Sequence, residues 1–171
     1  MKGIVISNAG PLIVLAKLNQ LHLLRELYGQ VYFSSAVYDE VVTVGIRKGY
    51  DDAKTLKAFF NQEGWTPIDA GELPNEIGRL NLDSGEKETI ALALKKQTDL
   101  LLMDEERGRR EARRLNLLVR GSMGILIEAY KKGVIDEHRL SFYFTQVKSR
   151  DDLWISTAFI DRLITELNIR S

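Results

Sequence analysis

Apolar positions along the chain fall into two rhythms. Short runs of β-branched, aromatic or unbranched apolar residues and leucine stand at 4–6, 31–33, 100–103 and 117–119, each ended by polar residues. Such runs read as short buried strands. Between them the apolar residues recur at helical spacing. This predicts helices over 12–17, 21–28, 35–43, 82–96, 122–132, 136–148 and 156–167, with a mostly polar helical stretch from 45 to 60. Residues 61–75 collect Gly64, Pro67, Gly71 and Pro74 and read as a loop, with 65–68 as a short edge strand. The alternation of strand and helix predicts an α/β protein: a mostly parallel central sheet covered by helices on both faces.

The chain is organised around residues 98–114. Leu100 to Met103 is an apolar run that ends in three acids, Asp104, Glu105 and Glu106, and then opens into a helix carrying Arg107, Arg109, Arg110, Arg113 and Arg114. A parallel sheet binds its ligands just beyond the carboxyl ends of its strands, so Asp104 or Glu105 stands where chemistry is done. The first strand ends in the same way at Ser7-Asn8, and Pro11 suits the first turn of the helix that follows.

The helix near Leu82 begins Asp83-Ser84-Gly85-Glu86-Lys87-Glu88. Asp83 with Glu86 three residues later matches a capping box, which gives Glu86 a structural task. Glu88 has no local task of that kind. Glu40 lies beside the apolar side of the 35–43 helix, where a solvated face is the plain alternative to a ligand role. Ser122 stands where the last strand gives way to a helix, a natural place for a phosphate or water contact. The arginine stripe could be a solvated face paired with Glu106 and Glu111, or it could also touch phosphates.

Composition narrows the chemistry. The 171 residues are 44% hydrophobic, enough for one domain with a substantial core, and the formal net charge is zero. Attraction to a charged partner must therefore come from local clustering. There is no cysteine, which removes disulfides, thiolate nucleophiles and cysteine-based zinc sites, and His22 and His138 show no ligand spacing. An oxygen-only set of Asn8, Glu40, Glu88 or Glu86, Asp104 or Glu105, and Ser122 suits Mg²⁺ or Mn²⁺, ions that can activate water against a phosphodiester. No apolar run reaches membrane-spanning length and the N-terminus lacks a signal pattern, so a cytoplasmic protein without a membrane partner is expected.

Four segments taken together resemble the PIN-domain superfamily: IVISNAGPLI at 4–13, AVYDEV at 36–41, SGEKETIALA at 84–93 and LLLMDE at 100–105. The likeness runs in order from the N-terminus to about Lys132. It is narrowest toward the PIN-like branch of predicted nucleic-acid-binding proteins with a Ser-Pro-Leu-type first motif, here with Gly10 before Pro11-Leu12. It implies an α/β/α sandwich, Mg²⁺ or Mn²⁺ held by three or four acids, and cleavage of single-stranded RNA. It also implies a toxin held by a small antitoxin protein, and a homodimer.

Carried over by position, the resemblance puts the first acid at Asn8, the second at Glu40, the third at Glu88 with Glu86 as rival, and the fourth at Asp104 with Glu105 adjacent. Asn8 departs from the usual aspartate; its amide oxygen can still coordinate, but the site loses one negative charge. Arg107, Arg110 and Arg114, with Ser122, would position the RNA backbone.

The expectation is a single PIN-like domain over 1–171, with helices 136–168 as its extension, acting as a metal-dependent endoribonuclease. The first alternative is a PIN fold that binds RNA or a protein without cleaving, because of Asn8. The second is a phosphate-accepting receiver domain, disfavoured because the first strand ends in Ser-Asn instead of an acidic pair.

Overall fold

The computed structural model describes residues 3–170 and divides after Ser122 into two compact units. The first unit is built on a parallel sheet of β1 (Val5–Ser7), β2 (Leu100–Leu102) and β3 (Val119–Arg120), in that order. Val5 pairs with Leu100 and Ser7 with Leu102, while Leu102 pairs with Arg120. All three strands therefore end on the same edge.

The 31–33 run adds only a single parallel bridge, Tyr32 to Ile6, on the other side of β1, and the expected edge strand at 65–68 adds another, Ile68 to Ser34. Each of these runs makes two ladder bonds before the chain turns, too few to extend into a strand.

Helices fill the connections. α1 (Ala9–Lys17) starts three residues earlier than its apolar pattern predicts, and α2 (His22–Tyr28) follows. α3 (Ser35–Tyr38) runs without a break into a π-helical stretch, Asp39–Val44, and then into α4 (Gly45–Arg47). α5 (Asp51–Glu63) supplies Phe60, which stacks on Phe33 at 4.4 Å between ring centres. After the short α6 (Asn75–Gly78), α7 (Ser84–Lys96) and α8 (Glu106–Arg114) flank β2 in sequence. Ile6, Leu101 and Met103 from the sheet pack with Ile90, Leu92 and Ala93 of α7 and Ala112 of α8. Burial of that apolar cluster fixes the helix starts against the strand ends.

The second unit holds α9 (Ser122–Lys131, from Met123 onward), α10 (Glu137–Ser149) and α11 (Thr157–Glu166). α10 and α11 are N-capped by Asp136 and Ser156, and Leu140, Phe144, Val147 and Ile160 are buried. No helix among the described residues is long and apolar enough to cross a membrane. The α/β architecture with its parallel sheet is the one the alternation of strands and helices predicts.

Candidate functional site

The strand edge gathers two of the residues expected there. Asn8 follows β1 directly, and its backbone N–H bonds the carbonyl of Leu102 at 2.8 Å, so β1 and β2 deliver Asn8 and Asp104 side by side. Asn8 is the N-cap of α1, yet its side chain makes no capping bond. Its amide oxygen instead accepts from the Thr89 hydroxyl of α7 at 3.4 Å.

Asp104 is held from the β3 side. Ser122 donates its backbone N–H to one carboxylate oxygen at 2.7 Å and its hydroxyl to the other. Ser122 itself is fully buried, so both of its donors are spent on Asp104 and none faces a phosphate. Burial raises the Asp104 pKa; the two bonds from Ser122, and then the nearby Arg109 guanidinium, oppose that rise. Arg109 is anchored by donating to the Met103 carbonyl at 3.0 Å.

α7 brings the second group. The capping box forms as the sequence predicts: Asp83 accepts from the Glu86 N–H at 2.7 Å, and Glu86 Oε2 accepts from the Asp83 N–H at 3.0 Å. This occupies only one oxygen of Glu86. The residue is 5% exposed, and its Oε1 is buried without a hydrogen-bond partner. α8 passes close beside it, because a Cβ at Gly108 would fall 2.8 Å from that oxygen and 2.6 Å from the Met103 sulfur. Burial is also the main cause of the raised Glu86 pKa, partly offset by the Asp83 N–H. Glu88 has a different partner: its Oε2 accepts from the backbone N–H of Ala36 at 3.0 Å.

Glu40 comes from the π-helical stretch and reaches the same place. A Cβ added to Gly85 would lie 3.2 Å from Glu40 Oε2, 3.4 Å from Asp83 Oδ1 and 3.7 Å from Asn8 Oδ1. Three oxygens from three segments thus lie within 4 Å of one point above Gly85. Glu40 is exposed as a whole residue, yet its pKa is raised, by desolvation of the carboxylate first and then by the charges of Asp83 and Glu86. Glu105 is the exposed N-cap residue of α8, makes no side-chain capping bond and adds to the negative potential at Glu86.

Among the described residues, no three His, Cys, Asp or Glu are drawn tightly enough together to enclose a metal ion. The donor chemistry nevertheless fits a hard divalent cation: oxygens only, several negative charges, and one buried carboxylate oxygen with no partner.

The arginines of α8 divide by their engagements. Arg107 donates to the Asn81 carbonyl at 3.5 Å and Arg114 pairs with Glu111 at 2.9 Å. Arg110 and Arg113 are exposed and make no hydrogen bond or ion pair among the described residues.

Two residues at this edge escape a motif-based reading. Asp83 looks like a cap and nothing more, although its position beside a glycine and a second acid could have flagged it. Arg109 was one arginine in a stripe, and its approach to Asp104 depends on the β2–α8 turn. The family model DUF3368, a PIN domain, matches residues 4–168. No curated protein and no solved structure matches the chain. With a strand edge carrying Asn8 and Asp104, acids converging from α7 and the π-helical stretch, and a match over nearly its whole length, the chain belongs to the PIN-domain superfamily.

Proposed function

We propose that the protein is a metal-dependent endoribonuclease acting on single-stranded RNA, and the toxin of a toxin–antitoxin pair. The observation that carries this reading is the convergence of Asn8, Glu40 and Asp83 around Gly85, with the Glu86 charge close enough to act on Glu40, on the strand edge where Asp104 also stands. A PIN domain brings a nuclease-like fold and a habit of divalent-metal dependence, and many such domains are ribonuclease toxins.

Glu40, Glu86 and Asp104 would hold Mg²⁺ or Mn²⁺, with Asn8 adding a neutral amide oxygen and Glu105 at the rim. Such an ion supplies an activated water and neutralises charge that develops on the attacked phosphate. Asp83 restores the negative charge that Asn8 lacks. Ser122 fixes both oxygens of Asp104, so that carboxylate is oriented before any ligand arrives. The free guanidinium groups of Arg110 and Arg113, with Arg107 and Arg114 beside them, bind backbone phosphates. The protein acts in the cytoplasm as a homodimer whose activity a small antitoxin protein restrains, and its 171 residues work as one PIN-like domain.

One observation favours a second reading. Asn8 stands where the family carries an acid, and a site one charge poorer suits a module that binds RNA or a protein without cutting.

Cleavage of a mixed-sequence single-stranded RNA, with Mn²⁺, with Mg²⁺ and with EDTA, separates the two. The nuclease reading expects metal-dependent cleavage by the parent chain, with Asn8→Asp raising activity further. Cleavage by Asn8→Asp alone would make the natural chain a silenced nuclease and favour the binding module.

A further inference from the structure

Glu88 stands out because it is the one acid of the α7 start tied to a distant backbone group. We propose that Glu88 is a positioning residue: by holding the Ala36 N–H it fixes the helical segment that presents Glu40 to the acidic site. The inference rests on the nuclease reading above and assigns Glu88 a role other than that of an ion ligand.

The backbone accounting at the start of α3 makes the case. A helix start leaves N–H groups without intrahelical partners, and in a half-buried start such as this one most of them find protein acceptors. Ser35 N–H goes to the Ile68 carbonyl at 3.0 Å, Val37 N–H to the Ser34 hydroxyl at 3.2 Å and Tyr38 N–H to the Ser34 carbonyl at 3.0 Å. Ala36 N–H alone depends on a side chain from a remote element, Glu88 Oε2 at 3.0 Å. Glu40 lies one turn further along the same uninterrupted helical segment.

Glu40 needs such support. It makes no hydrogen bond among the described residues, and Asp83 and Glu86 repel it. Its place is therefore set by the backbone that carries it, which is π-helical at this point and so lacks the regular ladder of an α-helix. With Glu88 attached, α7 controls both sides of the site: it supplies Asp83 and Glu86 directly and sets Glu40 through Ala36.

Glutamine at 88 keeps an oxygen that can accept from Ala36 but has no charge to give an ion, which separates the two roles. The experiment measures Mn²⁺ binding by calorimetry, and kcat and KM for cleavage of single-stranded RNA, in the parent, Glu88→Gln, Glu88→Ala, Glu40→Gln and Glu40→Gln/Glu88→Ala. Glu88→Ala should lower kcat by roughly tenfold to a hundredfold through misplacement of Glu40, with KM little changed. Glu88→Gln should recover most of that loss and bind Mn²⁺ like the parent. Adding Glu88→Ala to Glu40→Gln should cost nothing further, because the effect runs through Glu40.

Glu88→Gln as weak in Mn²⁺ binding as Glu40→Gln would make Glu88 a ligand and overturn the inference. So would Glu88→Ala with parental kcat. A parent chain that neither binds Mn²⁺ nor cleaves RNA would instead overturn the nuclease reading, and this inference with it.

Discussion

Asp104 and Glu40 are both acids at the same sheet edge, but the fold treats them in opposite ways. Asp104 follows a buried strand directly and is gripped at both oxygens by Ser122, with Arg109 close by. Glu40 arrives from a π-helical stretch, has no hydrogen bond of its own among the described residues and faces two like charges. One carboxylate is preorganised by donors; the other is held against repulsion by the backbone that carries it. The difference teaches where each should be vulnerable. Asp104 should be sensitive to loss of its partners, and Glu40 should relax when its charge is removed.

The largest effect should come from the preorganised side. Asp104→Asn can keep its oxygen toward the Ser122 N–H and donate its NH₂ to the Ser122 hydroxyl, which accepts as well as donates. Two charge-assisted hydrogen bonds become neutral ones of about half the strength, so the stability change should be about 1 kcal/mol or less. Cleavage should fall by more than the roughly hundredfold typical of losing an outer partner of a metal ligand. Ser122→Ala removes one of the two grips and should lower Mn²⁺ affinity by roughly tenfold to a hundredfold while leaving the ligand itself in place. Thermal unfolding and Mn²⁺ titration of both variants check the pair. Equal Mn²⁺ affinity in Ser122→Ala and the parent would show that the serine does not organise the acid.

Next comes a stability effect of the opposite sign at Glu40. Its pKa is raised in the folded chain, so ionising it costs more folded than unfolded. The folded chain therefore loses stability as pH rises from the ordinary carboxylate value through the raised one, and the penalty stays constant above that. In the presence of EDTA, Glu40→Gln should unfold at a higher temperature than the parent at neutral pH. The gain should shrink as pH falls through the raised value and vanish below the ordinary carboxylate range, where the parent is protonated in both states. A Glu40→Gln variant less stable than the parent at neutral pH would mean that repulsion does not govern this side.

That contrast also explains which parts of the site sequence reasoning could reach. Asp104 is readable because four apolar residues precede it, and strand logic carries a side chain straight from pattern to sheet edge. Asn8 is readable for the same reason at β1. The choice between Glu86 and Glu88 is not local: Glu86 reads as spent on its cap, yet its second oxygen is buried without a partner, and the partner of Glu88 is 52 residues away. Glu40 looks like an ordinary residue beside an apolar helix side because a regular helical period does not describe a π-helical turn. The short bridges at Tyr32 and Ile68 are fixed by tertiary contacts, which propensity does not encode.

The smallest effect belongs to α8, the element that touches both halves through Gly108 beside Glu86 and Arg109 beside Asp104. Its outward arginines differ in what they are already bound to. Arg110 has no partner among the described residues, whereas Arg114 has Glu111 at 2.9 Å. A guanidinium without a carboxylate is free to replace counterions along an RNA backbone, and each such contact contributes about 0.7 to the salt dependence of single-strand binding. Arg110→Gln should weaken binding of a non-cleavable single-stranded RNA about equally across sequences and lower the slope of log affinity against log salt by about that amount. Arg114→Gln should change the slope less, because Glu111 already competes for the charge. Equal slopes in the two variants would show that the ion pair opens freely on binding, and that the engagements of α8 in the free chain do not choose which arginines meet the phosphates.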